Sequence, residues 1–179
     1  MLFYILLLLG IFAFVTIYYN VLLPKEITTK RLNSWHFLYR EGNCAPSQIK
    51  DKFTELQQTL SKEYDPSTFK FAAIYIDNPN ALKHSNEMRY AIGIKADDTE
   101  VEVLKLKLAK HGFRHKEMPS VFCIANEVPY RNKINYMLTS MYVEKLVAYV
   151  KKANVKNEKS VIVEIIDLHH KHPFIGLYY

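Results

Sequence analysis

The stretch FAAIYIDNPNALKHSNEMRYAIGI, residues 71–94, decides how the rest of the chain is read. β-branched and aromatic residues fill the run from Phe69 to Ile76, and Asp77, Asn78 and Pro79 end it with turn chemistry. A second run, Met88 to Lys95, is again extended. Two strands joined across a turn are therefore expected here.

Working outward toward the N-terminus, Asp65 and Pro66 break the chain before the first strand. Ahead of them Ile49, Phe53, Leu56 and Leu60 recur at helical spacing, with Lys50, Asp51, Lys52, Gln57 and Gln58 on the other face. Pro46 sits where a first helical turn tolerates it. From Thr28 to Tyr39, Trp35, Phe37 and Tyr39 alternate with His36 and Leu38, which predicts one more strand. The first half reads strand, helix, strand, strand.

The same order returns further on. Thr99 and Glu102 stand at capping-box spacing ahead of a short helix, with Val101, Leu104 and Leu108 on one face and Gly112 at its end. Phe113 to Met118 and Ser120 to Glu127 are extended. A long helix follows, with Ile134, Met137, Leu138, Met141 and Leu146 as its apolar stripe, and Val161 to Leu168 and Pro173 to Tyr179 form two last strands. The expected fold class is α+β: two strand-helix-strand-strand modules forming a mostly antiparallel sheet, helices on one face, a cleft at the module boundary.

Residues 1–24 carry a different signal. Met1 to Leu23 contain no charged residue, and about 22 apolar residues rise roughly 33 Å as a helix, enough for a hydrocarbon core of about 30 Å. A basic start and a small-residue cleavage site, both wanted by a signal peptide, are absent. The expectation is a transmembrane anchor over 1–24 and one domain over 25–179. Lys25, Lys30 and Arg31 follow the anchor, so that flank is expected in the cytosol and the N-terminus on the luminal side. The net charge of +6 suits an anionic surface, but the basic residues are scattered and nucleic-acid binding is not expected. Cys44 and Cys123 do not make a disulfide framework. His169 and His170 point opposite ways on a strand, so neither a metal nor a cofactor is expected.

With these elements in place, the segment holding Tyr75, Asp77, Asn78, Pro79, Arg89 and Gly93 resembles the signature of the gyrase-inhibitor-like domain family: a strand ending Tyr-x-Asp-Asn-Pro, then a variable stretch, then a strand containing Lys or Arg. With an anchor in front, the likeness is to the membrane-bound eukaryotic branch, which includes an autophagy receptor of the endoplasmic reticulum. The resemblance implies a non-catalytic binding or adaptor protein of that membrane. It also implies partners, an autophagy ubiquitin-like protein and the p97 unfoldase, which the family reaches through an acidic tail; the sequence stops at Tyr179 without one. Inside the domain, Trp35 to Leu38, Phe53 to Leu56 and Phe174 to Leu177 carry the aromatic-x-x-aliphatic pattern, and all three are expected to serve the core.

The alternative reading is a sensor or hydrolase for a lipophilic cation. Family domains bind small aromatic, often cationic ligands between the modules with an acid among aromatics. Register from Gly112 puts that acid at Glu117, with Trp35, Phe37, Tyr75, Tyr90 and Tyr178 as candidate walls. Glu164, in Val-Ile-Val-Glu-Ile-Ile, is similar to the family's late Glu-containing strand, and its alternation puts it on one sheet face. A hydrolase would use Glu117 with a Tyr as general base.

Overall fold

The computed structural model describes residues 2–19, 27–77, 87–127, 139–152, 161–167 and 174–178. In chain order the elements are α1 (Leu2–Tyr19), β1 (Thr28–Leu32), β2 (Trp35–Cys44), α2 (Ile49–Leu60), β3 (Lys70–Tyr75), β4 (Met88–Ala96), α3 (Val101–Ala109), β5 (Arg114–Met118), β6 (Val121–Glu127), α4 (Thr139–Lys152), β7 (Val161–Asp167) and β8 (Phe174–Tyr178). The eight strands form one sheet in the order β1-β6-β8-β7-β3-β4-β2-β5. All its pairings are antiparallel.

The doubled order expected from sequence is visible in the sheet. Strands β3-β4-β2 with α2 make one half, and β7-β8-β6 with α4 make the other. The halves meet where β3 pairs with β7, at the centre of the sheet. Each half is finished by an outer strand, β5 beside β2 and β1 beside β6.

The single strand expected over Thr28 to Tyr39 is two strands, β1 and β2, broken at Asn33 and Ser34. They do not form a hairpin. Strand β1 lies first in the sheet and β2 seventh, and β5 and β6, separated by Pro119 and Ser120, are eighth and second. Six strand spacings of about 4.8 Å amount to roughly 29 Å in a flat sheet, whereas three Cα steps reach at most about 11 Å. The sheet must therefore curl strongly to bring these ends together.

Curling gives the sheet two apolar faces instead of one. The helix-covered face holds Leu38, Phe71, Ala73, Tyr75, Tyr90, Ile92, Ile94 and Ile162, packed with Phe53, Leu56 and Leu60 of α2, Leu104 and Leu108 of α3 and Leu146 of α4. The other face holds Trp35, Phe37, Ala72, Ala91, Met118, Val163 and Ile165, also buried. At that face Gly93 lies opposite Tyr39 of β2 and Ala72 of β3. A Cβ there would stand 1.9 Å from the Leu38 carbonyl oxygen, so only glycine fits this close strand approach.

Two local expectations meet different outcomes. Gly112 ends the α3 segment with φ 75°, the left-handed conformation that favours glycine. The Thr99–Glu102 capping box does not form; Glu100 occupies the N-cap position without a side-chain bond.

Among the described residues, no helix is long and apolar enough to cross a membrane. The uncharged α1 has 18 residues, a rise of about 27 Å, short of a hydrocarbon core of about 30 Å. The expected anchor over 1–24 continues into residues 20–26, which lie outside the described residues. The side chains from Phe3 to Val15 are exposed.

Candidate functional site

The central pairing of β3 with β7 puts Ala73 opposite Glu164 and Tyr75 opposite Ile162, all on the helix-covered face. Glu164 thus lies where the two halves join. It is 6% exposed, the one charged side chain buried among the described residues. Tyr75 donates its hydroxyl to Glu164 Oε2 at 2.6 Å, at the short end of the O–H···O range. Burial pushes the Glu164 carboxyl above the ordinary carboxylate range, and the Tyr75 hydroxyl opposes that push more weakly. The physical origin is plain from the strand: Ile162 and Ile166 flank Glu164 on the same face, and Ile92 and Leu146 belong to the same apolar cluster.

Of the aromatic walls expected from sequence, only Tyr75 is brought to this acid among the described side chains. Tyr90 faces Tyr75 in the β3–β4 register, but its ring leans the other way, across Gly42, where a Cβ would stand 2.7 Å from the phenol oxygen. Burial raises the Tyr90 phenol. Trp35 and Phe37 occupy the opposite face, 5.2 Å apart between ring centroids, and Phe37 stacks on Tyr39 at 4.9 Å. They are core of the curled face. Tyr178 pairs with Val161 and Cys123 through its backbone, and its side chain lies outside the described residues.

Glu117 is not the buried acid. It is exposed on β5, the outermost strand, opposite His36. Its surroundings are polar: His36 Nδ1 lies 3.0 Å from His115 Nε2, and His36 Nε2 lies 3.0 Å from Asp98 Oδ1. The count from Gly112 gives an acid on an outer strand, whereas the buried acid lies on β7 at the centre of the sheet. The signal that finds the buried acid is Glu164 set inside Val161-Ile-Val-Glu-Ile-Ile166, a single carboxyl in an unbroken apolar run.

The remaining signature residues have structural work. Asp77 Oδ2 accepts from the backbone N–H of Arg89 and from Arg89 Nε, each at 2.9 Å, and Oδ1 accepts from Nη2 at 2.7 Å. This two-pronged pair closes the connection between β3 and β4, and it holds the Asp77 carboxyl down at about 2. Asn78 and Pro79 lie outside the described residues, as do His169, His170 and His172. Among the described residues no group of three or more His, Cys, Asp or Glu is arranged to hold a metal. Trp35, Leu38, Phe53 and Leu56 are all buried, so two of the three aromatic-x-x-aliphatic segments belong to the core.

No family model matches the sequence, and no curated protein matches it. Solved structures do. The protein SAV2435, in a complex with tetraphenylphosphonium, superimposes with a TM-score of 0.57 at 12% identity, over 86% of this chain and 93% of that one. A putative bacterial transcription regulation protein from Staphylococcus aureus MU50 gives a TM-score of 0.51 at 10% identity, over 86% and 97%. EcmrR, in a complex with DNA, gives 0.53 at 11% identity, over 97% of this chain, which spans 65% of that protein's length. At such low identities the likeness is one of architecture, and the architecture is the gyrase-inhibitor-like fold.

Proposed function

We propose that this chain is a ligand-binding protein for a small lipophilic or aromatic cation, held where the two halves of the sheet meet. Glu164 is the counter-charge and Tyr75 its orienting partner. The observation that carries the reading is the buried Glu164 bonded to Tyr75 among apolar side chains. A carboxyl in that position costs stability unless something requires it, and a cation stripped of water is what it would stabilise. That SAV2435, with the same fold, holds tetraphenylphosphonium supports the choice of ligand class.

The hydrolase alternative is weaker on physical grounds. A general base must be ionised to take a proton, whereas burial favours the neutral acid at Glu164. The exposed Glu117 has no Tyr bonded to it among the described residues. We therefore read the site as non-catalytic.

The apolar, exposed α1 fits a further part of the proposal, that residues 1–24 hold the domain at a membrane with the domain cytosolic. The endoplasmic reticulum and the autophagy partners rest on the family resemblance alone, and no feature of the domain favours them. Resistance of the full chain to alkaline carbonate extraction tests the attachment; release into the soluble fraction would overturn it.

The test of the ligand reading is calorimetry with tetraphenylphosphonium and the full chain in non-ionic detergent. Binding that falls at least about tenfold in Glu164→Gln is expected, a loss of roughly 1.4 kcal/mol. Absence of binding to the unmutated chain would overturn the reading.

A further inference from the structure

Among the described residues, Glu164 stands near few groups able to hold or lend a proton. On β3 Tyr75 is its hydrogen-bond donor. On β4 Tyr90 shares its face but lies over Gly42. On α2 Lys52 and Glu55 are paired with each other at 2.9 Å and act on Cys44 and Tyr90. On α4 Glu144, Lys145 and Tyr149 are exposed while Leu146 is the buried residue. The β8 residue opposite Glu164 is Ile175. Among the described residues no basic side chain acts on Glu164's proton; burial and the Tyr75 hydroxyl are the influences on it.

We infer that the site exchanges a proton for its cation: Glu164 is a neutral acid when the site is empty, and a lipophilic cation entering beside it expels that proton to solvent. The inference rests on the proposed function and deepens it. The step balances, since Glu164 carboxylic acid plus a monocation gives the carboxylate–cation pair plus one released proton, with no bond made or broken except O–H. In the empty site no positive charge among the described residues offsets the desolvation of a carboxylate, so the neutral form is favoured. The arriving cation supplies that charge, and the short Tyr75 bond then solvates the carboxylate.

Two consequences separate this from simple ion pairing. Affinity for a cation should fall tenfold for each unit of pH below the titration of the empty site, because protons compete for the same oxygens. A neutral ligand of similar shape with a hydrogen-bond acceptor should behave in the opposite sense, since Glu164 in its acid form can donate to it. The empty site is therefore a donor toward neutral ligands and a counter-charge toward cations, which makes its selectivity depend on pH.

The experiment is calorimetric titration of the full chain with tetraphenylphosphonium, and separately with neutral triphenylphosphine oxide, across about pH 4.5 to 8. Each titration is run in two buffers of unlike ionisation enthalpy, so that released protons are counted. Expected for the cation is close to one proton released at low pH, falling toward zero as pH rises, with the tenfold-per-unit affinity slope in the same window. Expected for the oxide is no release and tighter binding at low pH. Glu164→Gln should abolish proton release and the slope together, and Tyr75→Phe should keep the release while moving the slope to higher pH. Cation binding with no proton release and a flat pH profile would overturn the exchange and leave the binding reading standing. Proton release that survives Glu164→Gln would overturn the assignment to Glu164. Absence of cation binding at every pH would overturn both.

Discussion

Gly93 and Tyr39 face each other across the β2–β4 ladder so closely that a methyl group on Gly93 would come within 2.6 Å of the Tyr39 Cα. The obstacle is backbone, which cannot swing aside. Gly93→Ala should therefore destabilise the fold by about 1 to 3 kcal/mol or more, read as a lower urea midpoint. Gly42→Ala meets only the end of the Tyr90 ring, at 2.7 Å, and should cost less. Equal losses in the two variants would contradict the geometry.

Asp77 gives a prediction in acid. Its folded value of about 2 lies below the ordinary 3.8, because Arg89 donates to it through side chain and backbone. The stabilisation is therefore present above pH 3.8 and is lost as pH falls through about 2. Thermal melts of Asp77→Asn should be less steeply dependent on pH across that window than those of the parent chain. Identical slopes would show that the pair contributes nothing to folding.

Glu164 has the reverse dependence. Its folded value lies above the ordinary 4.5, so the stability associated with the neutral acid is complete below pH 4.5 and declines as pH rises through the folded value. Glu164→Gln keeps the shape and cannot ionise. It should be at least as stable as the parent above neutral pH, with the pH-dependent decline removed; a variant less stable at every pH would mean that the carboxyl is a structural support.

Phe53 is 7% exposed and packs with Leu56 and Leu60 against the sheet. Phe53→Ala should cost about 3 to 5 kcal/mol through the cavity it leaves, measured by equilibrium unfolding. A loss below about 1 kcal/mol would place the ring on the surface, where an exposed recognition motif could use it.

Much of this architecture could be read from residue spacing. Ile49, Phe53, Leu56 and Leu60 marked α2, Gly112 marked the end of α3, and the runs around Asp77 and Arg89 marked β3 and β4 with nearly their final bounds. What spacing does not carry is which strands become neighbours. Asn33 and Ser34 are ordinary residues in a short link, and nothing local says that the strands on either side part company. The curl that follows buries Trp35 and Phe37 on a face where no described helix residue packs, which is why aromatics that looked like walls of a cleft are core. Sequence alone places Glu117 ahead of Glu164 for the same reason. An acid on a strand is dry or wet according to the strand's place in the sheet, and that place is set by pairings far along the chain.

The exchanged outer strands also govern how the molecule is assembled in time. Strand β1 leaves the half it leads into and pairs with β6, roughly ninety residues later, while β5 returns to β2. Neither half can be finished by its own contiguous chain, so closure waits for contacts of long sequence separation, the kind that slow folding. A chain emerging from the ribosome would hold β1 unpaired until β6 has appeared. Two molecules caught at that stage can trade these strands, and a strand-exchanged dimer is the characteristic misassembly this topology invites.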